Sequence, residues 1–111
     1  MKVGVALFTT VFLAGTCFAQ NSSPANSAGK RIFTSNCATC HGADGKGSSM
    51  GRSMGVKDLH SAEVLKMSDA QIKRVIANGK NTMPRWKGQL SDAQIAQVTA
   101  YVRSLQKSNT K

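Results

Sequence analysis

A run of five residues, Cys37-Ala38-Thr39-Cys40-His41, constrains this chain more than any other part of its sequence. Two cysteines three residues apart, followed directly by a histidine, are typical of covalent attachment of haem c. On one helical turn the two thiols can reach the vinyl groups of adjacent pyrrole rings, and the next side chain presents its imidazole to the iron. We therefore interpret Cys37 and Cys40 as thioether cysteines and His41 as an axial ligand.

Three other uses of the cysteine pair stay open at this point. A redox-active pair is expected between a strand and a helix, and no alternating strand pattern is visible. A zinc site needs two further ligands at finger spacing, and the sequence offers only His60 besides the motif. A structural disulfide suits a secreted chain but leaves the adjacent His41 unexplained. Haem attachment accounts for the whole motif.

The first 19 residues predict a secretory signal peptide. Lys2 precedes an almost entirely apolar run, which ends in the small residues Cys17 and Ala19 at the positions that a signal peptidase recognises. A membrane anchor is the weaker alternative, because the run is short for a span and lacks a basic flank. We expect residues 1–19 to be removed and residues 20–28 to form a flexible leader.

The composition indicates a thin core. Aromatic residues make up 5% of the 111 residues, a length that forms one domain. We therefore expect the cofactor to fill part of the interior.

The formal charge of +10 becomes +9 when Lys2 is lost with the signal peptide. Because the cations are scattered, they favour solubility and acidic partners over nucleic-acid binding.

Three segments predict helices. Asn26 or Ser27 can cap a short helix that leads into the cysteines. Residues 68–71 and 91–94 are capping boxes, each with Ser at the cap and Gln three residues later. Apolar residues follow both boxes at helical spacing, and Gly79 ends the first of these helices.

The remaining chain predicts loops. Residues 42–55 contain half of the 10 glycines and are interpreted as a loop throughout. The predicted fold is all-α and compact, with three to four helices and long loops wrapped around one covalently attached haem c. We place the haem domain at residues 29–106 and a C-terminal tail at residues 107–111.

The second axial ligand is predicted to be Met83. It precedes Pro84, just beyond a helix that ends at Gly79. Proline restricts the backbone of the residue before it, so the thioether is held in place. The sequence therefore assigns both iron ligands, His41 and Met83.

Other side chains compete for that position. Met50 and Met54 lie in the glycine-rich loop, where we expect them to pack on the porphyrin or to be exposed. Met67 precedes the Ser68 cap, where an apolar residue commonly packs back onto the helix. His60 is a further candidate, and its alternative is a solvated side chain or one near a haem propionate.

These motifs together resemble the class I c-type cytochromes, specifically the small bacterial monohaem type. The resemblance runs from about Gly29 to Leu105. It rests on CATCH continuing as HGADGKG, on Asp58-Leu59, on NGKNTMP, and on the terminal helix SDAQIAQVTAYVRSL. It implies that Gly29 and Phe33 cross the last helix near Tyr101, with the glycine permitting close approach.

Iron with both His41 and Met83 as ligands has no open position, which favours one-electron transfer over oxygen or peroxide chemistry. We predict a monomeric periplasmic carrier, not an enzyme, without stable membrane insertion, that serves a terminal oxidase or reductase. Two alternatives remain: a haem subunit of a larger oxidoreductase complex, and a gas-binding or peroxidase-like protein with a labile methionine.

The expected partners are redox proteins with acidic docking surfaces. The cations in loops expected to flank the haem are Lys46, Arg52, Lys57, Lys80, Arg85 and Lys87. Of these, Arg52 and Lys57 are also candidates to pair with the haem propionates. The lone tryptophan, Trp86, is expected to wall the haem or to contact a propionate through its N–H.

Overall fold

The computed structural model describes residues 3–7, 10–12, 14–15 and 24–108. Within these ranges the chain contains helices and two isolated β-bridges but no strand, which confirms the all-α fold class. The helices are α1 (Pro24–Ile32), α2 (Ala38–His41), α3 (Ser49–Ser53), α4 (Ala62–Leu65), α5 (Asp69–Asn78) and α6 (Asp92–Ser108). A five-residue π-helical segment, Phe33–Cys37, joins α1 to α2.

The ends of the helical domain differ from the prediction. Helix α1 begins at Pro24 rather than after a cap at Asn26 or Ser27. Proline is favoured at the first position of a helix, because its fixed φ suits the helix and its missing N–H would be unpaired there. Residues 24–28 are therefore helical rather than part of a leader, and residues 20–23 lie outside the described ranges. At the other end α6 runs to Ser108, two residues into the predicted tail.

The described residues before position 16 have no regular secondary structure. Their large apolar side chains are 77–92% exposed. Among the described residues, no helix combines the length and the apolar character needed to cross a membrane.

Both predicted capping boxes form. The N–H of Gln71 donates to Ser68 Oγ at 3.1 Å, and the N–H of Ser68 donates to Gln71 Oε1 at 2.8 Å. The same two distances recur between Ser91 and Gln94. These bonds satisfy N–H groups that the first helical turn leaves unpaired, so α5 and α6 begin where the sequence predicts.

Two short helices were not predicted, and the prediction that residues 42–55 form a loop throughout is wrong. Ser48 caps α3 by accepting from the N–H of Gly51 at 2.9 Å, and Ser61 caps α4 by accepting from Val64 at 3.4 Å. Neither serine is followed by Gln or Glu three residues later, so neither has a capping box. The glycine in α3 also lowers its helix propensity.

The core forms where α1 crosses α6. Phe33 and Val98 are almost fully buried, and the rings of Phe33 and Tyr101 pack with centroids 5.4 Å apart. Ile72 and Ile76 add the inner face of α5. The cluster holds six buried apolar side chains among the described residues, which agrees with the thin core predicted from composition.

Gly29 sits at the crossing and permits the close approach that the sequence resemblance implies. A Cβ atom added there would lie 2.2 Å from the carbonyl oxygen of Gln97 and 2.9 Å from Cβ of Tyr101. Such distances require the two helices to move apart.

We therefore expect Gly29→Ala to lower the free energy of unfolding by about 3 kcal/mol, because overpacking a helix contact costs roughly that much. Ser27→Ala, an exposed change on the same helix, is the matched control. Guanidinium unfolding of the holoprotein measures both. Equal stability of the two variants would show that the helices are not in close contact at Gly29.

A polar clamp ties the last turns of α6 to the segment that precedes α5. Arg103 donates from Nε to Asp69 Oδ1 at 2.8 Å, from Nη1 to Gln106 Oε1 at 3.0 Å, and from Nη2 to the carbonyl of Met67. Gln106 is buried and donates from Nε2 to the carbonyl of Leu59 at 2.8 Å. Two backbone carbonyls of the connecting segment are therefore held by side chains of α6.

Removing this clamp is expected to destabilise the domain. Arg103→Ala should cost about 2 kcal/mol, because it removes charge-assisted hydrogen bonds and leaves polar groups of the clamp unpaired. Arg103→Lys should recover only part of this loss, because an ammonium group cannot form the planar fork. Thermal unfolding of the three holoproteins ranks them, and an alanine variant as stable as wild type would contradict the role of the clamp.

Candidate functional site

The two cysteines of the motif are placed by a change of helical type. The N–H of Ala38 donates to the carbonyl of Phe33, a π-type bond that ends the π-helical segment and starts α2. Cys37 and Cys40 are half-buried and free, and Cys37 packs against the core cluster. The sequence does not predict this change from α-helix to π-helix and back, because the spacing of its residues does not differ from that of an ordinary α-helix.

The protonation of Cys37 argues against a redox-active pair. Burial first, and then the neighbouring Cys40, raise the pKa of the Cys37 thiol to about 11. The thiol therefore stays protonated at neutral pH. A reactive redox cysteine needs a lowered pKa to expose its thiolate, and the environment of Cys37 acts in the opposite direction.

His41 is suited to bind a metal through its ring. Burial lowers the pKa of its imidazole, which favours the neutral form that ligates metals. Its Nδ1 is buried and makes no hydrogen bond within the described chain. That nitrogen therefore has no side-chain or backbone partner there that would compete with a ligand.

The glycine-rich loop closes back on the motif. The N–H of Gly47 donates to the carbonyl of His41 at 2.7 Å, and the N–H of Ser48 donates to that of Cys40 at 3.0 Å. Helix α3 then packs so tightly that a Cβ on Gly51 would lie 1.9 Å from the Cys40 carbonyl oxygen. The loop thus fixes α2 by satisfying the carbonyl groups at its end.

The loop that carries Met83 is fixed through its backbone. The N–H of Met83 donates to the carbonyl of Lys80 at 2.9 Å, and the N–H of Lys80 donates to that of Met83 at 3.1 Å. This tight turn includes Asn81 at φ 54°, a left-handed conformation that asparagine tolerates. Met83 is half-buried and packs against the same core cluster as Cys37.

The Met83 turn also docks on the end of α5. The N–H groups of Trp86 and Lys87 each donate at 3.1 Å to the carbonyl groups of residues 76–77, which the helix itself leaves unpaired. Gly79, at φ 74°, lets the chain fold back, since a Cβ there would lie 2.6 Å from the Met83 carbonyl oxygen. Hydrogen bonds on both sides of Met83 therefore set its position.

The competing methionines have different surroundings. Met50 on α3 and Met54 directly after it are 49% and 45% exposed. Met67 packs against the core cluster just before the Ser68 cap, as its position predicted. Of the four methionines that the structure describes, only Met67 and Met83 pack against the core cluster.

His60 is engaged by its neighbours. Its Nδ1 lies 2.7 Å from Asp58 Oδ1, and its Nε2 lies 3.2 Å from the carbonyl oxygen of Leu105. The side chain is only 15% exposed, so the prediction of a solvated histidine is wrong. Both ring nitrogens face acceptors, which makes His60 unsuited to ligate iron.

A zinc site finds no support in the described residues, where no three His, Cys, Asp or Glu side chains converge.

Lys57 is ion-paired with Glu63, whose pKa is lowered first by the hydrogen bond from Lys57 and then by the positive charge of Lys57. Lys57 is therefore less available to a haem propionate than the sequence suggested. Arg52 is exposed on α3, and Trp86 is half-buried against the core.

The donor set fits a covalently held haem. Two free thiols, an imidazole whose pKa is lowered by burial, and a thioether carried on a hydrogen-bonded turn belong to segments that share a core of only six buried apolar side chains among the described residues. A family described as the cbb3-type cytochrome c oxidase subunit III matches residues 24–102. The chain belongs to this family of class I c-type cytochromes. As a c-type cytochrome, it carries covalently bound haem c.

Relatives of this cytochrome include small proteins and parts of larger ones. It is 40% identical over 107 residues to cytochrome c6 of Nostoc, covering 90% of this chain and 84% of that one. It is 44% identical over 80 residues to the cbb3-type oxidase subunit FixPc of Rhizobium leguminosarum bv. viciae, covering 70% of this chain. The cytochrome spans only 27% of the length of that subunit.

A solved structure supports the same fold. The KustC0563 c-type cytochrome matches with a TM-score of 0.65 and 29% identity. The match covers 69% of this chain and 95% of that one. Nearly the whole of that cytochrome is therefore represented here.

Proposed function

We propose that this cytochrome is a periplasmic one-electron carrier whose single haem c is attached through Cys37 and Cys40 and ligated by His41 and Met83. The observation that carries the proposal is the set of backbone hydrogen bonds that holds the turn around Met83. Its N–H and carbonyl both bond to Lys80, and the following residues cap α5. A hydrogen-bonded backbone, with a side chain that packs on the same core as Cys37, supports a permanent second ligand rather than a labile one.

The residues of this chain suit one-electron transfer by a bound haem. The haem, when bound, supplies a one-electron iron couple. His41 presents a neutral imidazole, since burial lowers its pKa, and Met83 presents a thioether from a turn that cannot easily move. With His41 and Met83 both as ligands, the iron would have no site for a small ligand, and a rigid site would change little when an electron arrives or leaves.

The periplasmic location rests on the N-terminal sequence. Lys2, the apolar run and the small residues Cys17 and Ala19 form the pattern of a cleavable signal. Covalent attachment also suits a compartment where a lost cofactor could not be regained. Mass spectrometry of the mature holoprotein tests this directly, with Gln20 expected as the first residue.

Carbon monoxide distinguishes a carrier from a gas-binding or peroxidase-like protein. The reduced holoprotein at neutral pH should keep its absorption spectrum when mixed with the gas, because Met83 as the second iron ligand would leave no site for it. Rapid binding by the wild-type protein would show a labile methionine and would favour the gas-binding alternative.

A second candidate function is a haem subunit of a larger oxidase. It is favoured by the 44% identity to FixPc and by the matched family. Native electrophoresis of membranes from the source organism separates the two candidates. A haem-stained band of this cytochrome that migrates with the oxidase after a salt wash indicates a subunit, and recovery in the soluble fraction indicates a carrier.

A further inference from the structure

An open groove lies where α1 crosses α6, on residues that the proposed haem site does not use. Its volume is about 500 Å³, and it is lined by Asn26, Ser27, Lys30 and Arg31 of α1 and by Tyr101 of α6. All five side chains end in polar groups, and none of them belongs to the attachment motif or to the Met83 turn. The groove is therefore a polar surface that electron transfer by the haem does not explain.

The two walls of the groove are held together by the helix crossing. Gly29 lies between the lining residues of α1, where a Cβ would be 2.2 Å from the carbonyl oxygen of Gln97 on α6. The ring of Tyr101 is fixed against Phe33, with centroids 5.4 Å apart. A ligand would therefore meet a preformed surface and would not have to order the two helices.

The two cations of the groove have no anionic partner in the described part of the chain. Lys30 and Arg31 are exposed, and neither side chain takes part in an ion pair or a hydrogen bond there. The sequence contains no acidic residue before Asp44, and α6 has only Asp92, its first residue. Asp92 is about 14 Å from Tyr101 along the helix axis. The positive charge of the groove is therefore not neutralised by the two helices that form it.

Packing does not explain the hydroxyl group of Tyr101. The ring makes the contact with Phe33, and a phenylalanine would make the same contact. The hydroxyl forms no hydrogen bond with any residue that the structure describes. The amide of Asn26 and the hydroxyl of Ser27 line the same groove, so neutral donors stand beside the two cations.

From this arrangement we infer that Lys30, Arg31 and Tyr101 form a binding site for the phosphate group of an organic phosphate. A guanidinium group can donate two parallel hydrogen bonds to phosphate oxygens, while an ammonium group adds a point charge and a phenol adds a neutral donor. The volume of the groove is in the range of small-molecule sites, which leaves room for the group that the phosphate carries. The inference goes beyond the proposed function, because it needs neither the iron ligands nor electron transfer.

Titration of the holoprotein with inorganic pyrophosphate at low salt, followed by amide NMR, tests the site. Shifts should concentrate at residues 26–31 and at Tyr101. Lys30→Gln/Arg31→Gln should weaken binding about tenfold, because it removes both charge-assisted contacts. Absence of localised shifts in the wild-type protein would overturn the inference.

The matched control is Lys73→Gln/Arg74→Gln, which replaces the other Lys-Arg pair of the chain. This pair lies on α5 and lines a groove that it shares with Asp92, so it is less suited to an anion. The control should weaken pyrophosphate binding less than about twofold. Equal weakening by the two double variants would overturn the inference, because binding would then follow net charge alone.

Tyr101→Phe tests the neutral donor separately. It keeps the ring on Phe33, so the unfolding temperature and the haem spectrum should not change. It should nevertheless weaken pyrophosphate binding several-fold, because a hydrogen bond to a charged group is lost. Wild-type affinity in this variant would overturn the inference.

Vesicles distinguish a phospholipid headgroup from a soluble phosphate compound. Co-sedimentation with vesicles of phosphatidylglycerol and phosphatidylcholine that pyrophosphate displaces would support the site and assign it to a headgroup. Pyrophosphate binding without vesicle binding would support the site and assign it to a soluble compound. Vesicle binding that survives Lys30→Gln/Arg31→Gln, in a protein that does not bind pyrophosphate, would overturn the inference.

Failure of this inference differs from failure of the proposed function. All of these measurements follow binding to the holoprotein, and none of them follows electron transfer. A protein that binds no pyrophosphate and no vesicles can still be a one-electron carrier.

Discussion

Replacing Met83 with alanine is expected to open the sixth position of the iron and to lower the reduction potential by on the order of a few hundred millivolts. A thioether ligand favours the reduced iron, so its loss stabilises the oxidised state. The Lys80 bonds to Met83 use only its backbone and should persist in the variant. Voltammetry measures the potential, and carbon monoxide binding by the reduced variant reports the open position.

Met54→Ala is the matched control for this change. Met54 has the same side chain but is 45% exposed on the surface. Its replacement should leave the potential and the resistance to carbon monoxide unchanged. If the reduced Met54→Ala variant binds carbon monoxide while the Met83→Ala variant does not, Met83 has been wrongly assigned as the ligand.

The second large effect concerns the cysteines. Cys37→Ser/Cys40→Ser should yield almost no protein with covalent haem, because each thioether requires a thiol. Most of the helical circular dichroism should be lost as well. A core of six buried apolar side chains in the described domain is too small to hold the helices without the haem.

Cys17→Ser serves as the control, since Cys17 lies in the predicted signal peptide and should be absent from the mature protein. Acid–acetone extraction followed by a haem stain distinguishes covalent from loose haem. Normal amounts of covalent haem in the double variant would mean that the attachment motif has been misidentified.

The proposed site residues rest on local patterns in the sequence. The cysteine pair with His41 is contiguous, and Met83 is marked by the proline that follows it. The capping boxes at Ser68 and Ser91 are also local, since each joins residues three apart. These features need no knowledge of the tertiary fold.

The features that escaped prediction are set by contacts between distant segments. Helix α3 contains a glycine and forms where Gly51 meets the carbonyl of Cys40. The pairing of Lys57 with Glu63 and the engagement of His60 by Leu105 depend on how the chain folds back. No local pattern in the sequence marks these contacts.

The most direct test of the central claim is the absorption spectrum of the purified wild-type protein in both oxidation states. Ligation by His41 and Met83 predicts the sharp α band of a c-type haem when reduced, and a weak long-wavelength band from the iron–methionine bond when oxidised. A normal reduced spectrum with no weak band in the oxidised protein at neutral pH would contradict the account, because the haem would then be attached but Met83 would not be its ligand.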